Sequence, residues 1–218
     1  MLTKRLDAVC GLVPYGIRAA ADIGCDHGYL ARELIIRKGA GRVIATDISE
    51  PSLEKARRLA ERHNIADRMP ARVGFGLRPV AAGEADLAVI AGMGGGEIIS
   101  ILSDPERRDG INNFILLPHK DAERLRRYLM TRYLIARDMT VADRGKFYDL
   151  MELSPGVTVL SEREIMFGHS DLKAPSADFI NRLRSELRRA EEYGARASGE
   201  RAEYFAGRAR TIKDILQL

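Results

Sequence analysis

Between residues 19 and 153 the chain alternates short apolar, β-prone runs with longer amphipathic ones, and this alternation constrains the fold more than any other feature. Strands that read as near-continuous apolar runs must be buried on both faces, which calls for helices packed on each side of a mostly parallel sheet. The runs are 19–24, 42–47, 71–74, 86–91 and 114–117. Helical patterns fill the gaps: 29–38, then 51–62, opening on Pro51 where a missing N–H costs nothing, then 121–132, where Asp121 is placed to cap exposed amides. Beyond the fifth strand, 133–141 and 146–153 flank Asp143-Arg144-Gly145, a turn short enough for a closing antiparallel hairpin. The expected fold is α/β, a Rossmann-like sheet ending in an antiparallel hairpin, an ending that dehydrogenases of this class do not usually have.

Ser154-Pro155-Gly156 stops the last strand and marks a boundary, giving a main domain over 1–154 and a helical, heavily charged tail over 155–218. Ser161-Glu162-Arg163-Glu164 is a capping-box pattern that predicts a short helix. Segments 176–193 and 199–218 carry apolar residues at helical spacing, Phe179, Leu183, Leu187 and Ala190 in one, Phe205, Ala209, Ile212 and Leu216 in the other. With a turn at 194–199 they predict a small α-helical, coiled-coil hairpin, which reads equally as a structural clamp or a nucleic-acid arm. The length of 218 residues allows one full core plus such an appendage. The net charge of +4 only hints at an anionic partner. Cys10 and Cys25 lack metal or redox spacing and read as free thiols, and no apolar run approaches the ~20 residues of a membrane span. A soluble, cytoplasmic protein is expected, a monomer or weak dimer, with no metal.

The chemistry starts at Asp22-Ile23-Gly24-Cys25-Asp26-His27-Gly28, between the first strand and the helix from Tyr29. Gly24 and Gly28 let the backbone turn sharply, while the carboxylates of Asp22 and Asp26 suit the ammonium group of a bound amino acid, such as the methionine end of S-adenosylmethionine. Asp26 stands where a dinucleotide loop has its second glycine, so its charge opposes pyrophosphate. Asp47 closes the second strand, where an acidic side chain bonds ribose hydroxyls; a helix cap with Ser49 is its plain alternative. Gly74-Phe75-Gly76 is placed for adenine, with Phe75 to stack, or is a simple turn.

The run Ala91-Gly92-Met93-Gly94-Gly95-Gly96 ends the fourth strand at the sheet edge where ligands bind. Its glycines are costly to order, which points to close backbone approach by cofactor and substrate. After the fifth strand, Pro118-His119-Lys120 precedes a helix bearing Arg124, Arg126 and Arg127; with Arg132, Arg137, Lys4, Arg5 and Arg18 these suggest a basic substrate-side surface. His27 and His119 read as polar loop residues or as acid-base groups.

The chain resembles the bacterial tRNA (adenine-22-N1)-methyltransferase family over nearly its whole length. The resemblance rests on Lys4-Arg5-Leu6, Ala21-Asp22-Ile23-Gly24 with Asp26-His27-Gly28-Tyr29-Leu30, Ala91-Gly92-Met93-Gly94-Gly95, Lys146-Phe147-Tyr148 and Phe167-Gly168. It implies a class I methyltransferase domain with a helical tail, S-adenosylmethionine as donor and tRNA adenosine as acceptor. The implied cofactor side is Asp22, Gly24, Asp26, Gly28, Asp47, Ile48, Gly74, Phe75, Gly76, Ala91, Gly92 and Met93. The implied substrate side is Arg5, His27, Tyr29, Gly94, Gly95, Pro118, His119, Lys120 and Arg126, with Asp26 as the catalytic residue. Three positions depart from the pattern: Phe75 replaces an aspartate, Asp47-Ile48 replaces an acidic pair, and Leu117-Pro118-His119 replaces a Gln-Pro-Asn-like segment. A small-molecule methyltransferase and a non-catalytic RNA-binding protein on the same fold stay open as alternatives.

Overall fold

The computed structural model describes residues 2–217. The elements are α1 (Lys4–Leu12), β1 (Ala19–Ile23), α2 (Tyr29–Ile36), β2 (Arg42–Asp47), α3 (Glu50–Arg62), β3 (Ala71–Val73), β4 (Leu87–Ala91), α4 (Gly95–Leu102), β5 (Phe114–Leu117) and α5 (Ala122–Leu129). There follow β6 (Tyr133–Asp143), β7 (Lys146–Pro155), α6 (Glu162–Phe167), α7 (His169–Lys173), α8 (Ala177–Gly194) and α9 (Glu200–Leu216). Seven strands make one sheet in the order β3-β2-β1-β4-β5-β7-β6. The first five are parallel, and β7 runs antiparallel to both β5 and β6. This is the expected α/β fold, with the antiparallel hairpin and the helical tail in place.

Alternation along each strand explains why the runs had to be apolar throughout. Ala20, Val43, Ala45, Val89 and Ile115 face one side, where they meet Val9, Leu34 and Leu53 from α1, α2 and α3. Ala19, Ala21, Ile44, Ala88, Ile90 and Phe114 face the other, against Ile98, Ile101, Leu125 and Leu129 from α4 and α5. Both faces are dry, as a parallel sheet requires. The chain winds outward from β1 to β3, then returns to β4 on the opposite flank of β1, so the loops leaving β1 and β4 diverge and open a crevice.

Local expectations met physical limits at a few places. The hairpin turn is two residues, Arg144 and Gly145, both at positive φ (50° and 74°), and the strands run longer than the sequence suggested. That geometry matches the right-handed twist of the paired strands. Asp121 does not cap its helix: at φ 60° it is left-handed, which turns its side chain away from the first amides, and no side-chain cap bond forms. The helices α1 and α7 were not expected: α7, at five residues, is too short to show a helical period, and α1 precedes the first strand, outside the strand–helix alternation.

The tail is seated on the exposed edge of β6. Ser161 and Glu164 form the expected capping box, Ser161 Oγ accepting from Glu164 N (3.3 Å) and Glu164 Oε2 from Ser161 N (2.8 Å). Phe167, Phe179, Leu183, Leu187 and Ile212 make a small core of their own. Four amides on the free side of β6 donate to tail side chains: Ile135 to Thr158 Oγ1 (2.7 Å), Asp138 to Ser170 Oγ (2.9 Å), Thr140 to Asp171 Oδ2 (2.5 Å) and Ala142 to Asp178 Oδ2 (2.8 Å). A register shift between Ile135 and Arg137 puts the first in phase with the others. An edge that would otherwise invite another strand is thereby closed by side chains.

Candidate active site

The loop after β1 is built from left-handed residues. Gly24, Asp26 and Gly28 have φ of 71°, 49° and 72°. At Gly28 packing adds to this, because a Cβ there would lie 3.0 Å from Ala56 Cβ; at Gly24 it would meet only the mobile Met93 Cε, and the backbone φ is what calls for glycine. The loop is tied to β2: Gly24 N and Cys25 N donate to Thr46 O (2.8 and 2.9 Å), and Asp26 N donates to Asp47 Oδ2 (3.0 Å). Asp47 Oδ1 accepts from Ser49 N (2.9 Å), while Ser49, not Asp47, caps α3 through its hydroxyl. Asp47 therefore acts as a fixed carboxylate at the crevice.

Two adjoining cavities share Gly24, Ala91 and Gly92. One, of about 300 Å³, is walled by Ile48, Phe75, Met93 and Ile101, with Asp47, Gly74, Gly76 and Glu97 completing it. The other, of about 380 Å³, is lined by Arg5, Asp22, Cys25, Asp26, His27 and Tyr29. The first is an apolar slot for a flat ring; the second is polar and rich in carboxylate. A carboxylate fixed between them by two amides is placed for a ribose, so the donor set fits S-adenosylmethionine: adenine beside Phe75 and Ile48, ribose at Asp47, amino acid toward Asp22 and Asp26. Among the described residues no group of three or more His, Cys, Asp or Glu side chains is placed to hold a metal ion.

The two loop carboxylates differ sharply. Asp22 is buried, with Oδ2 accepting from Ala31 N at 3.1 Å. Burial pushes its carboxyl up to about 7, the Ala31 amide pulls it back in part, and the nearby Asp47 charge pushes it further. Asp26 is open to solvent, with a contact to His27 Nε2 and another to Ser52 Oγ, both 3.4 Å. His27 is in turn 3.0 Å from Lys55 Nζ and meets the Tyr29 ring edge-on. Burial lifts the Cys25 thiol far above its usual range, so it is no nucleophile. Cys10 and Cys25 are both free.

The glycine run after β4 has a partly different reason from the expected one. Gly92, at φ 80°, has open space where a Cβ would stand and lines both cavities. Gly94 and Gly95 line neither. They let the β4 loop lie against the β5 loop: Gly95 N donates to Lys120 O (2.9 Å), His119 N donates to Met93 O (2.9 Å), and a Gly95 Cβ would lie 2.4 Å from Asp121 O. The strip carries His119 to the crevice, with Nδ1 3.2 Å from Gly92 O. Glu97, which the sequence did not single out, fixes this loop by accepting from Gly94 N at 2.6 Å.

The expected basic surface is largely consumed by ion pairs. Arg126 lies in the interior, not on a substrate face, bound to Asp138 and Asp149. Lys4 pairs with Asp178, Arg18 with Asp86, Arg127 with Glu162, Arg137 with Glu152 and Arg5 with Asp143. Helical position alone could not distinguish these, because every partner lies 12 or more residues away in the chain, beyond the reach of helical spacing.

A parallel sheet closed by an antiparallel pair, a glycine-hinged loop after β1 and an acidic residue ending β2 define a Rossmann-like methyltransferase. A family model described as a methyltransferase domain matches residues 2–151. The tRNA (adenine(22)-N(1))-methyltransferase of Bacillus subtilis is 33% identical over 157 residues, 71% of this chain and 66% of the relative's length. The crystal structure of the B. subtilis m1A22 tRNA methyltransferase superposes with a TM-score of 0.84 at 26% identity, covering 99% of each chain. A Streptococcus pneumoniae protein in complex with S-adenosyl-L-methionine superposes with a TM-score of 0.88 at 26% identity, covering 99% of this chain and all of that one. The chain belongs to the tRNA (adenine-22-N1)-methyltransferase family of S-adenosylmethionine-dependent enzymes.

Proposed function

We propose that this protein transfers the methyl group of S-adenosylmethionine to N1 of an adenosine in tRNA, at position 22. The observation that carries the reading is that the likeness to the B. subtilis m1A22 methyltransferase runs through the tail as well as the sheet, over 99% of both chains. Bound S-adenosylmethionine supplies an electrophilic methyl group on a sulfonium. Adenine N1 already presents a lone pair, so the chain's own residues have to position rather than deprotonate. Asp47 would hold the ribose, Ile48, Phe75 and Met93 the adenine ring, and Asp22 the ammonium group.

Gly92 leaves the passage between the donor cavities and the β5 loop open, and His119, Pro118 and Tyr29 stand where a base turned out of its stack would arrive. Asp26, exposed at the loop tip, would accept from the exocyclic amine of that base. A tRNA substrate would place its action in the cytoplasm; no helix among the described residues is long and apolar enough to cross a membrane. Residues 1–154 would serve as the catalytic unit and 155–218 as its tail.

The test is incubation of the pure protein with labelled S-adenosylmethionine and unmodified tRNA, followed by nucleoside analysis and mapping. N1-methyladenosine at position 22 is expected. Cofactor binding without label in tRNA would overturn the reading and direct the search to small-molecule acceptors.

A further inference from the structure

A cavity of about 590 Å³ opens beside the β5–α5 loop, bounded by Pro118, His119, Lys120, Arg124, Phe147 and Tyr204 among others. A second, of about 330 Å³, shares Phe147 and Arg182 with it and reaches Lys146 and Arg189. Together they form a groove that leaves the catalytic loops, passes the β6–β7 turn and follows α8.

The groove holds cations that ion pairing has left free. Lys120, Arg124, Lys146 and Arg189 are exposed, and among the described residues none has a carboxylate within 4.0 Å. The acids in its walls are mostly neutralised: Asp149 by Arg126 and Arg182, Glu186 by Arg182 and Arg208, Glu123 by Arg208. Only Asp121 opposes the four free cations. Between them stand two rings, the half-buried Phe147 and the exposed Tyr204, which is braced edge-on by Phe205 at 5.4 Å. Free cations spaced by aromatic faces suit an unpaired nucleic-acid strand, whose phosphates need charge and whose bases need a stacking surface.

We propose that this groove binds the unpaired RNA strand flanking the target nucleotide, with phosphates on Lys146 and Arg189 and a base on Tyr204. The proposal rests on the tRNA reading above and extends it: the tail both clamps the sheet and holds substrate. Its contact with the β5 loop makes strand binding continuous with delivery of the base to His119.

The experiment is steady-state methylation of tRNA by the full chain across a salt series. Replacing Lys146 and Arg189 together by alanine should raise KM for tRNA about tenfold at 0.15 M salt and lower the slope of log KM against log salt by about 1.4, from two lost single-strand contacts. Affinity for S-adenosylmethionine, read by calorimetry, should stay at the wild-type value and reports that the variant is folded. Tyr204→Ala should raise KM about tenfold and Tyr204→Phe should restore it, since stacking needs the ring and not the hydroxyl. Arg58→Ala with Arg62→Ala, on α3 at the far edge of the sheet, should change neither KM nor slope. A groove variant with wild-type KM and slope on a tRNA that the wild type methylates would overturn the groove alone. A wild-type protein that methylates no tRNA would overturn the functional reading, and this proposal with it.

Discussion

Arg126 grips Asp138 with two hydrogen bonds, Nε to Oδ2 at 2.6 Å and Nη2 to Oδ1 at 2.8 Å, and neither side chain reaches solvent. The same guanidinium donates to Asp149 and to the carbonyl of Ile165 in α6. Burial works against its charge, but Asp149 and Asp138 outweigh that and hold it firmly protonated. Asp149 shows the converse: burial would raise its carboxyl, yet Arg182 and Arg126 keep it far below the usual carboxylate range. Arg182 belongs to α8, so the network joins the hairpin strands to the tail. Arg126→Ala would leave Asp138 buried without a counter-charge and Asp149 with Arg182 alone, a loss of about 3–5 kcal/mol in urea denaturation. A loss below about 1 kcal/mol would show that the network does not hold the structure together.

Deleting residues 155–218 removes the acceptors of four β6 amides and the Arg182 partner of Asp149, together with the small core around Phe167. The freed β6 amides would face water along a bare strand edge, and a bare edge recruits other strands. The truncated chain should aggregate on size-exclusion chromatography. A soluble, monomeric 1–154 fragment that binds cofactor would show that the tail is dispensable to folding.

Asp47 both fixes the β1 loop and faces the crevice. Asp47→Ala should weaken S-adenosylmethionine binding by about 10–100-fold, the range for a hydrogen bond to a charged group, as measured by calorimetry. An unchanged Kd would place the ribose elsewhere.

The Asp22 carboxyl sits at about 7 in the free protein, raised first by burial. Because its pKa is raised, the free fold is favoured by the proton: this stability is full below the ordinary carboxylate value of about 4 and is lost as pH rises through about 7. An ammonium group favours the ionised form, so cofactor affinity should climb as pH rises through about 7 and level off above it. Asp22→Asn should flatten that dependence. Identical pH profiles for variant and wild type would remove Asp22 from the binding site.

Asp26 occupies left-handed backbone that asparagine also tolerates but alanine does not favour. Asp26→Asn is therefore the cleaner variant, expected to fold normally and to lower kcat by about 10–100-fold through loss of a charged acceptor. Undiminished kcat would remove the carboxylate from the reaction.

Sequence alone settled what depends on neighbours along the chain. Apolar runs fixed β1 to β5 nearly to the residue, the Ser161 to Glu164 spacing fixed the cap of α6, and glycines around Asp26 marked the sharp left-handed turn after β1, because periodicity, capping and φ are local properties. Tertiary structure decided what depends on distant partners. Arg124 and Arg126, two residues apart on one helix, became a free cation beside a groove and the buried centre of an ion network, a difference set by Asp138 and Asp149 across the fold. Likewise Gly95 proved to lie against the carbonyl of Asp121, and the tail that composition left open as clamp or arm was seated on β6 by single hydrogen bonds. Charge pairing and close packing are properties of surfaces brought together by folding, and no window of sequence contains them.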